Sequence, residues 1–440
     1  MILHSSTPLN ALPSARLILI FVCSLFMIKS VEAQKLDGAS NLALANNQFT
    51  FDTLKQAATS LKGIKNVNII LSPFNVAQVL SMIMLGAKGE TFNQLSSTLH
   101  YSSNFKPIPT PLNQEGLHKA IADKLLTGPK DQKRNVTLET GNGIYPDKTF
   151  PLNPTFLKNV ERFYQASVQN LDFRKESQKA VGIINADISK ATNGKILDLL
   201  PPNSLDASTS LVLISTIYFK GDWKDKFDPK LTKKIPFKSD DGLIQEVDMM
   251  QGLKEGYYGD FDFSTSMDSS IKHPQSVKVL RLDYTDSNLA MFFLLPEQNG
   301  LEGLIIDINP SILAKLIADV RHNTKIKAIL PKFSINYEVE MKDILQKLGI
   351  TDVFSNKADL SEITKTPMDA EGLYISKVYH KAFIEVNEKG SEAAAATGVV
   401  ISRSSIFLPI TFQADRPFMY FIMDLSNSNI LFIGTYSRPS

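Results

Sequence analysis

The chain has 440 residues, 43% hydrophobic and 21% charged, with 47 Lys and Arg against 45 Asp and Glu and a formal net charge of +2. That is ordinary globular composition, and a chain of this length buries a large core without disulfide or metal staples. The near balance of charge carries no mark of a nucleic-acid binder.

From the N-terminus, Arg16 precedes an apolar run from Leu17 to Ile28, of the length of a signal-peptide core, and Val31-Glu32-Ala33 offers small residues at the usual cleavage spacing. The expected cut is after Ala33, giving a signal peptide over 1–33 and one domain over 34–440. The run is short for a membrane span, and an uncleaved anchor is the alternative. No later segment is apolar enough over sufficient length to span a bilayer. The one cysteine, Cys23, lies inside the signal, so the mature chain stands on its core alone. Asn135-Val136-Thr137 is an N-glycosylation sequon, and the signal favours its use.

The first third reads as helical. Val76, Val79, Leu80 and Ile83 recur at helical spacing over Asn75–Leu85, with Ser72-Pro73 as the entry and Gly86 as the end. Residues 155–200 also read as helical, with Thr192-Asn193-Gly194 as a stop. Strands dominate afterwards: Leu211 to Ile214 with Ile217 to Phe219, Leu289 to Leu295 ended by Pro296, and Ala382 to Val386. Glu340 to Leu348 reads as an amphipathic helix ended by Gly349. Phe418 to Asp424 and Ile430 to Gly434 read as a hairpin around Ser426-Asn427-Ser428-Asn429. Helices first and strands later predict an α+β fold with a large mixed sheet.

One segment fits no single element. Ala393 to Ala396 favour helix, whereas Val399 to Ile401 favour strand, and Gly390 and Gly398 bracket the alanines. One reading is a short surface helix in a long loop. The other is a segment that switches conformation. A strand entering a sheet buries alternate side chains, and Ser391, Ala393, Ala395 and Thr397 are small on one such face.

This segment resembles the hinge of a serpin reactive loop, and the resemblance extends over residues 68–434. Asn68-Ile-Ile-Leu-Ser72-Pro73 followed by Leu85-Gly86-Ala87-Lys88-Gly89-Glu90-Thr91 resembles the family's early helix and its lead-in. Ile184-Asn185 with Thr192-Asn-Gly194-Lys195-Ile196 is similar to its central helix, and Ile217-Tyr218-Phe219-Lys220-Gly221-Asp222-Trp223 to its central strand. Leu330-Pro331-Lys332-Phe333, Leu348-Gly349-Ile350, Ala358-Asp359-Leu360, Ala414-Asp415-Arg416-Pro417-Phe418 and Leu431-Phe432-Ile433-Gly434 follow in the family's order.

The resemblance implies a serpin fold: helices packed on a large central mixed β-sheet, further sheets, and an exposed reactive-centre loop at about 388–416. It implies an extracellular suicide inhibitor of serine proteases. The protease cuts the loop, the acyl-enzyme forms, and the loop inserts as a new strand before water releases it. The inhibitor then needs no catalytic residue, no metal and no cofactor. The implied hinge is Glu388, Gly390, Ser391, Glu392, Ala393, Ala394, Ala395, Ala396 and Thr397. Fourteen residues from Gly390 is the family's common count to the residue before the cut, which gives Ser404–Ser405. A hinge one residue shorter gives Arg403–Ser404, and this is the expected bond, because a trypsin-like pocket holds a carboxylate that pairs with arginine; Ser404–Ser405, which suits an elastase-like pocket, is the alternative. Ser72, Asn75, Ser215 and His380 match the polar cluster where the sheet opens. There the family usually has serine at 75 and asparagine at 215, so amide and hydroxyl are exchanged: one reading keeps the hydrogen bond between them with the donor types reversed, the other is independent drift with each group satisfied locally. Lys332 and Glu388 match a latch across the sheet top, and Trp223 lies beside it.

Rival classes find little support. There is no Gly-x-Ser-x-Gly, His-Glu-x-x-His or phosphate-loop motif, and His4, His100, His118, His273, His322 and His380 form no metal pattern. A carrier-type serpin would favour bulky or charged hinge residues, which this inserting face lacks. Two basic clusters, Lys130, Lys133 and Arg134, and Lys224, Lys226, Lys230, Lys233 and Lys234, suggest a sulfated polyanion such as heparan sulfate as a further partner, against solvated surface. The expected state is a monomer with neither nucleic-acid nor membrane partner.

Overall fold

The computed structural model describes residues 38–60, 67–101, 114–122, 136–262, 276–297, 300–364, 372–388 and 409–439. Its first third is helical: α1 (Gly38–Ser60), the short strand β1 (Ile69–Leu71), α2 (Pro73–Met84), α3 (Gly89–Thr98) and α4 (Gln114–Ile121). α2 forms where the apolar spacing places it. The Ser72 side chain accepts from the Asn75 N–H, and Pro73 occupies the first turn, where an N–H has no helical partner to lose. Every residue of α2 except Gln78 is buried, so this helix lies inside the molecule.

β2 (Val136–Pro146), α5 (Pro154–Tyr164), β3 (Ser167–Val168) and α6 (Phe173–Ala191) come next. The helical reading of 155–200 is corrected here. Gln165 takes a left-handed φ of 52° and ends α5, and β3 pairs with β2 before α6 begins. The stop at Thr192-Asn193-Gly194 is real, with φ of 50° at Asn193 and 71° at Gly194.

The strand-rich part holds β4 (Leu211–Gly221), β5 (Lys233–Lys238), β6 (Ile244–Asp262), β7 (Ser276–Asp283) and β8 (Leu289–Pro296). Then come α7 (Leu301–Asp307), α8 (Pro310–Asp319), β9 (Arg321–Pro331), β10 (Phe333–Glu340), α9 (Lys342–Lys347), β11 (Lys377–Val386), β12 (Ile410–Gln413), β13 (Phe418–Asp424) and β14 (Asn429–Tyr436). The helix expected from Glu340 starts at Lys342. Glu340 instead closes β10 opposite Tyr379, and its carboxylate accepts from the N–H groups of Lys342 and Val378 at 3.0 and 3.1 Å.

Among the described residues the strands form two sheets. A nine-stranded sheet runs β1-β14-β13-β8-β7-β6-β9-β12, with β5 on β6; a five-stranded sheet runs β10-β11-β4-β2-β3. β4 shows why both faces of the smaller sheet are dry. Leu211, Leu213, Ile217 and Phe219 point into the main core with α2 and β14, while Val212, Ile214 and Tyr218 point the other way, into a second core with Ile184 and Ile188 of α6. β8, β13 and β14 are buried along their whole lengths, matching their continuous apolar runs. Gly434 on β14 is required by close approach: a Cβ there would meet the Ile69 carbonyl oxygen at 2.4 Å.

Candidate functional site

At the centre of the five-stranded sheet, β11 and β4 run parallel, from Lys377↔Val212 to Glu385↔Lys220. The chain leaves the C-terminal end of β11 at Asn387 and Glu388 and returns in β12, which pairs with β9 in the other sheet. The segment between them therefore has one root in each sheet. Lys332 marks the crossing from the other side, because β9 ends at Pro331 and β10 begins at Phe333.

Glu388 is buried and tightly held. Its Oε2 pairs with Lys332 Nζ at 3.0 Å, its Oε1 accepts from the Thr232 hydroxyl at 2.8 Å, and its carbonyl accepts from the Phe227 N–H at 3.1 Å. Burial works to raise the Glu388 carboxyl. Its own backbone N–H, Thr232 and Lys332 together outweigh this and hold it below the usual value. The carboxylate is only 8% exposed and Lys332 49%, so one charge of the pair is out of water. Beside it, Trp223 donates to the Asn387 carbonyl at 2.9 Å and stacks on Tyr284 at 4.7 Å.

Lower down, His380 of β11 faces Ser215 of β4 across the seam. Its Nε2 accepts from the Ser72 N–H at 3.0 Å, which leaves the proton on Nδ1, donating to the Ser215 carbonyl at 3.0 Å. The Ser215 hydroxyl is 3.2 Å from the same nitrogen, and the Ser72 hydroxyl donates to the Leu431 carbonyl at 2.6 Å. Burial pushes His380 down to about 4 against the opposing pull of the Ser215 carbonyl, so it is neutral at pH 7. Both ring nitrogens are engaged by groups of the protein, and the ring is fully buried.

Of the two readings of the exchange at Asn75 and Ser215, the geometry supports the one in which each group has its own partner. Asn75 makes no bond to Ser215. Its Nδ2 donates to the Thr216 carbonyl at 2.9 Å and to Asn142 Oδ1 at 2.8 Å, while Asn142 Nδ2 donates back to Asn75 Oδ1 at 3.0 Å and to Gln78 Oε1 at 3.1 Å. The amide pairs with another amide on β2, and Ser215 serves His380 instead. Asn142, Gln78 and Thr232 belong to the site and were not singled out from the sequence. An amide inside a strand and a threonine in a loop carry no local signal of a partner 67 or 156 positions away. Gly390 to Thr397, Arg403, Ser404, Ser405, Asn135 and the cluster Lys130, Lys133 and Arg134 lie outside the described residues, as does the segment 1–33 expected to be a signal peptide. In the second basic cluster, Lys226 pairs with Asp222 at 3.1 Å and Lys234 with Asp248 at 3.0 Å, which reduces its net charge.

Comparison with known proteins gives the same frame. Residues 44–439 match the family model described as "Serpin (serine protease inhibitor)". The bovine (Bos taurus) leukocyte elastase inhibitor is 33% identical over 409 residues, covering 90% of this chain and 99% of the relative. Human thyroxine-binding globulin superposes with a TM-score of 0.76 at 27% identity, over 91% of this chain and 99% of that one. Native protease nexin-1 with heparin gives 0.76 at 28% identity, over 91% and 100%.

Proposed function

The chain belongs to the serpin family, and from that membership we propose that it is a secreted suicide-substrate inhibitor of trypsin-like serine proteases. In this reading the protease serine attacks the Arg403 carbonyl, the Arg403–Ser404 bond breaks, and the new amine at Ser404 leaves. The acyl ester at Arg403 is carried along as residues 390–403 enter the five-stranded sheet between β4 and β11. Inhibition is a race between that insertion and hydrolysis of the ester. The protease contributes the serine and the oxyanion hole, so the inhibitor contributes only the bait and the sheet.

The observation that carries the reading is the parallel seam. A segment that turns back at Glu388 runs antiparallel to both β11 and β4, so one parallel ladder is replaced by two antiparallel ones. Antiparallel pairing is slightly the stronger per residue, and every backbone group of the entering strand gains a partner. At ~3.3 Å per residue, residues 390–403 reach about 45 Å, enough to run the length of either neighbour. Small side chains at Ser391, Ala393, Ala395 and Thr397 suit entry between packed strands.

The test is a protease panel with the mature protein, read on denaturing gels for covalent complexes, with the released C-terminal peptide mapped by mass spectrometry. Trypsin-like enzymes are expected to form complexes and to release a peptide starting at Ser404. Arg403→Ala should abolish them, and trapping of trypsin by that variant at the original rate overturns the assignment. Likeness to the bovine elastase inhibitor favours a second reading, with a cut at Ser404–Ser405 by an elastase-like enzyme, and the same peptide map separates the two. The fold shared with thyroxine-binding globulin favours a carrier role, for which the panel would yield cleavage without complexes. Secretion with a glycan at Asn135 is checked by endoglycosidase treatment of protein recovered from medium. Likeness to the heparin-bound nexin supports a polyanion partner through Lys130, Lys133 and Arg134, checked by salt elution from immobilised heparin.

A further inference from the structure

Among the described residues, Lys254 is the only buried lysine, with 4% of its side chain exposed. It stands on β6 at the irregularity where the register against β9 shifts between Lys254 and Gly256, and a bulge re-aims the side chain it carries. Lys254 pairs in register with buried Ile326 of β9, on the face opposite exposed Leu253 and Lys327. Its stem passes Gly252, where a Cβ would come within 2.9 Å of the Lys254 Cε.

The ammonium ends on one short segment, residues 225–227. It pairs with Asp225 Oδ1 at 3.0 Å, donates to the Lys226 carbonyl, and lies 4.4 Å from the centre of the Phe227 ring. The second Asp225 oxygen accepts from the Glu255 N–H at 3.3 Å. Burial pushes Lys254 down and the Asp225 carboxylate opposes it. Segment 225–227 is in turn what backs the loop root. The Phe227 N–H holds the Glu388 carbonyl, and the Phe227 ring meets Trp223 edge-on, whose indole holds the Asn387 carbonyl. A continuous path of contacts therefore runs from β6 of the larger sheet to the end of β11 in the smaller one. A methionine would fill the same volume and leave no unmet charge, but it would not fix the backbone at Lys226.

We infer that Lys254 is a positioning residue for strand insertion: it clamps segment 225–227 to β6 and so holds Glu388 and the closed β4–β11 seam from the second sheet. This rests on the insertion reading above and extends it, since control of the gap then involves a residue remote from the loop and from the Lys332–Glu388 pair.

The experiment times stable uptake of a synthetic peptide of residues 390–403 by the folded, uncleaved protein, on native gels with mass detection. Lys254→Met keeps the length of the stem and removes the donors. It is expected to take up the peptide roughly tenfold faster than wild type, the size set by one charge-assisted hydrogen bond. Lys254→Arg should restore a rate near wild type. Lys254→Met combined with Glu388→Gln should be no faster than the faster single variant, because both act along one path. Asp225→Asn alters a 45% exposed carboxylate and is expected to accelerate uptake similarly, so it replaces Lys254→Met if that variant does not fold. A wild-type rate in the folded variant, or multiplying effects in the double, overturns the inference alone. Uptake by no protein, wild type included, overturns the insertion reading and this inference with it.

Discussion

At the N-terminus of α2 the Asn75 carboxamide directs both its N–H donors and its oxygen at β2 and β4, through Asn142 and the Thr216 carbonyl. Asn75→Ala removes a donor from a buried carbonyl and a partner from the half-buried Asn142 amide, with an expected loss of about 2 kcal/mol in urea unfolding. In double-mutant cycles Asn75→Ala should couple to Asn142→Ala by about 1 kcal/mol and add independently to Ser215→Ala, and the reverse pattern would return Ser215 to the role of partner. His380 makes a pH prediction. Its folded pKa, about 4, lies below the ordinary 6.5, so the unfolded chain binds the proton more readily. Its stabilising contribution is whole above pH 6.5 and is lost as the pH falls from there to 4, by about 3 kcal/mol in total. Burial also holds His118 down, to about 3, so the quantity to measure is a difference. Wild type should lose stability between pH 7 and 4.5 more steeply than His380→Gln, and parallel curves for the two would sink the assignment.

At the scale of elements, the top of β11 is fixed by a buried carboxylate rather than by a solvated surface pair. Two exposed partners would contribute only about 0.2–1 kcal/mol, whereas stranding one buried partner costs more, here about 1–3 kcal/mol because Lys332 stays half in water. Glu388→Lys places a second ammonium against Lys332 and leaves Thr232 without its acceptor. The seam between β4 and β11 then opens more readily and accepts a strand from another molecule, which gives chains of molecules by heterologous addition. Gel filtration after mild warming should show oligomers for Glu388→Lys and none for wild type. A monomeric profile for both removes the latch.

For the whole molecule, the five-stranded sheet has helix α6 over one face and α2 with β14 over the other, so widening it disturbs two cores at once. Interiors packed like crystals resist such a change until something larger is gained. On the insertion reading, the gain is a full central strand, with a dozen or so new ladder bonds at ~1 kcal/mol each, enough to raise the melting temperature by about 10–20 °C. Calorimetry of intact and loop-cleaved protein reads this directly. Equal melting temperatures would mean that cleavage leaves the sheet as it was.

How much of this was legible in the chain follows from the range of each interaction. α2 was readable because its capping serine, its proline and its apolar spacing act within four residues, and β8, β13 and β14 because a strand buried on both faces is apolar throughout. The order of motifs over 68–434 identified the fold, and with it two separate pairs, Lys332 with Glu388 and Ser72 with His380. The boundaries between helix and strand at Gln165 and Glu340 are not legible locally, because the tie-breakers are pairings to β2 and to Tyr379, distant in sequence. The partners of Asn75, the hydroxyl of Thr232 on Glu388 and the burial of Lys254 were decided by tertiary structure alone. A polar side chain in a core is satisfied by whatever the fold brings within 3 Å of it, and the sequence records the need for a partner without naming which one.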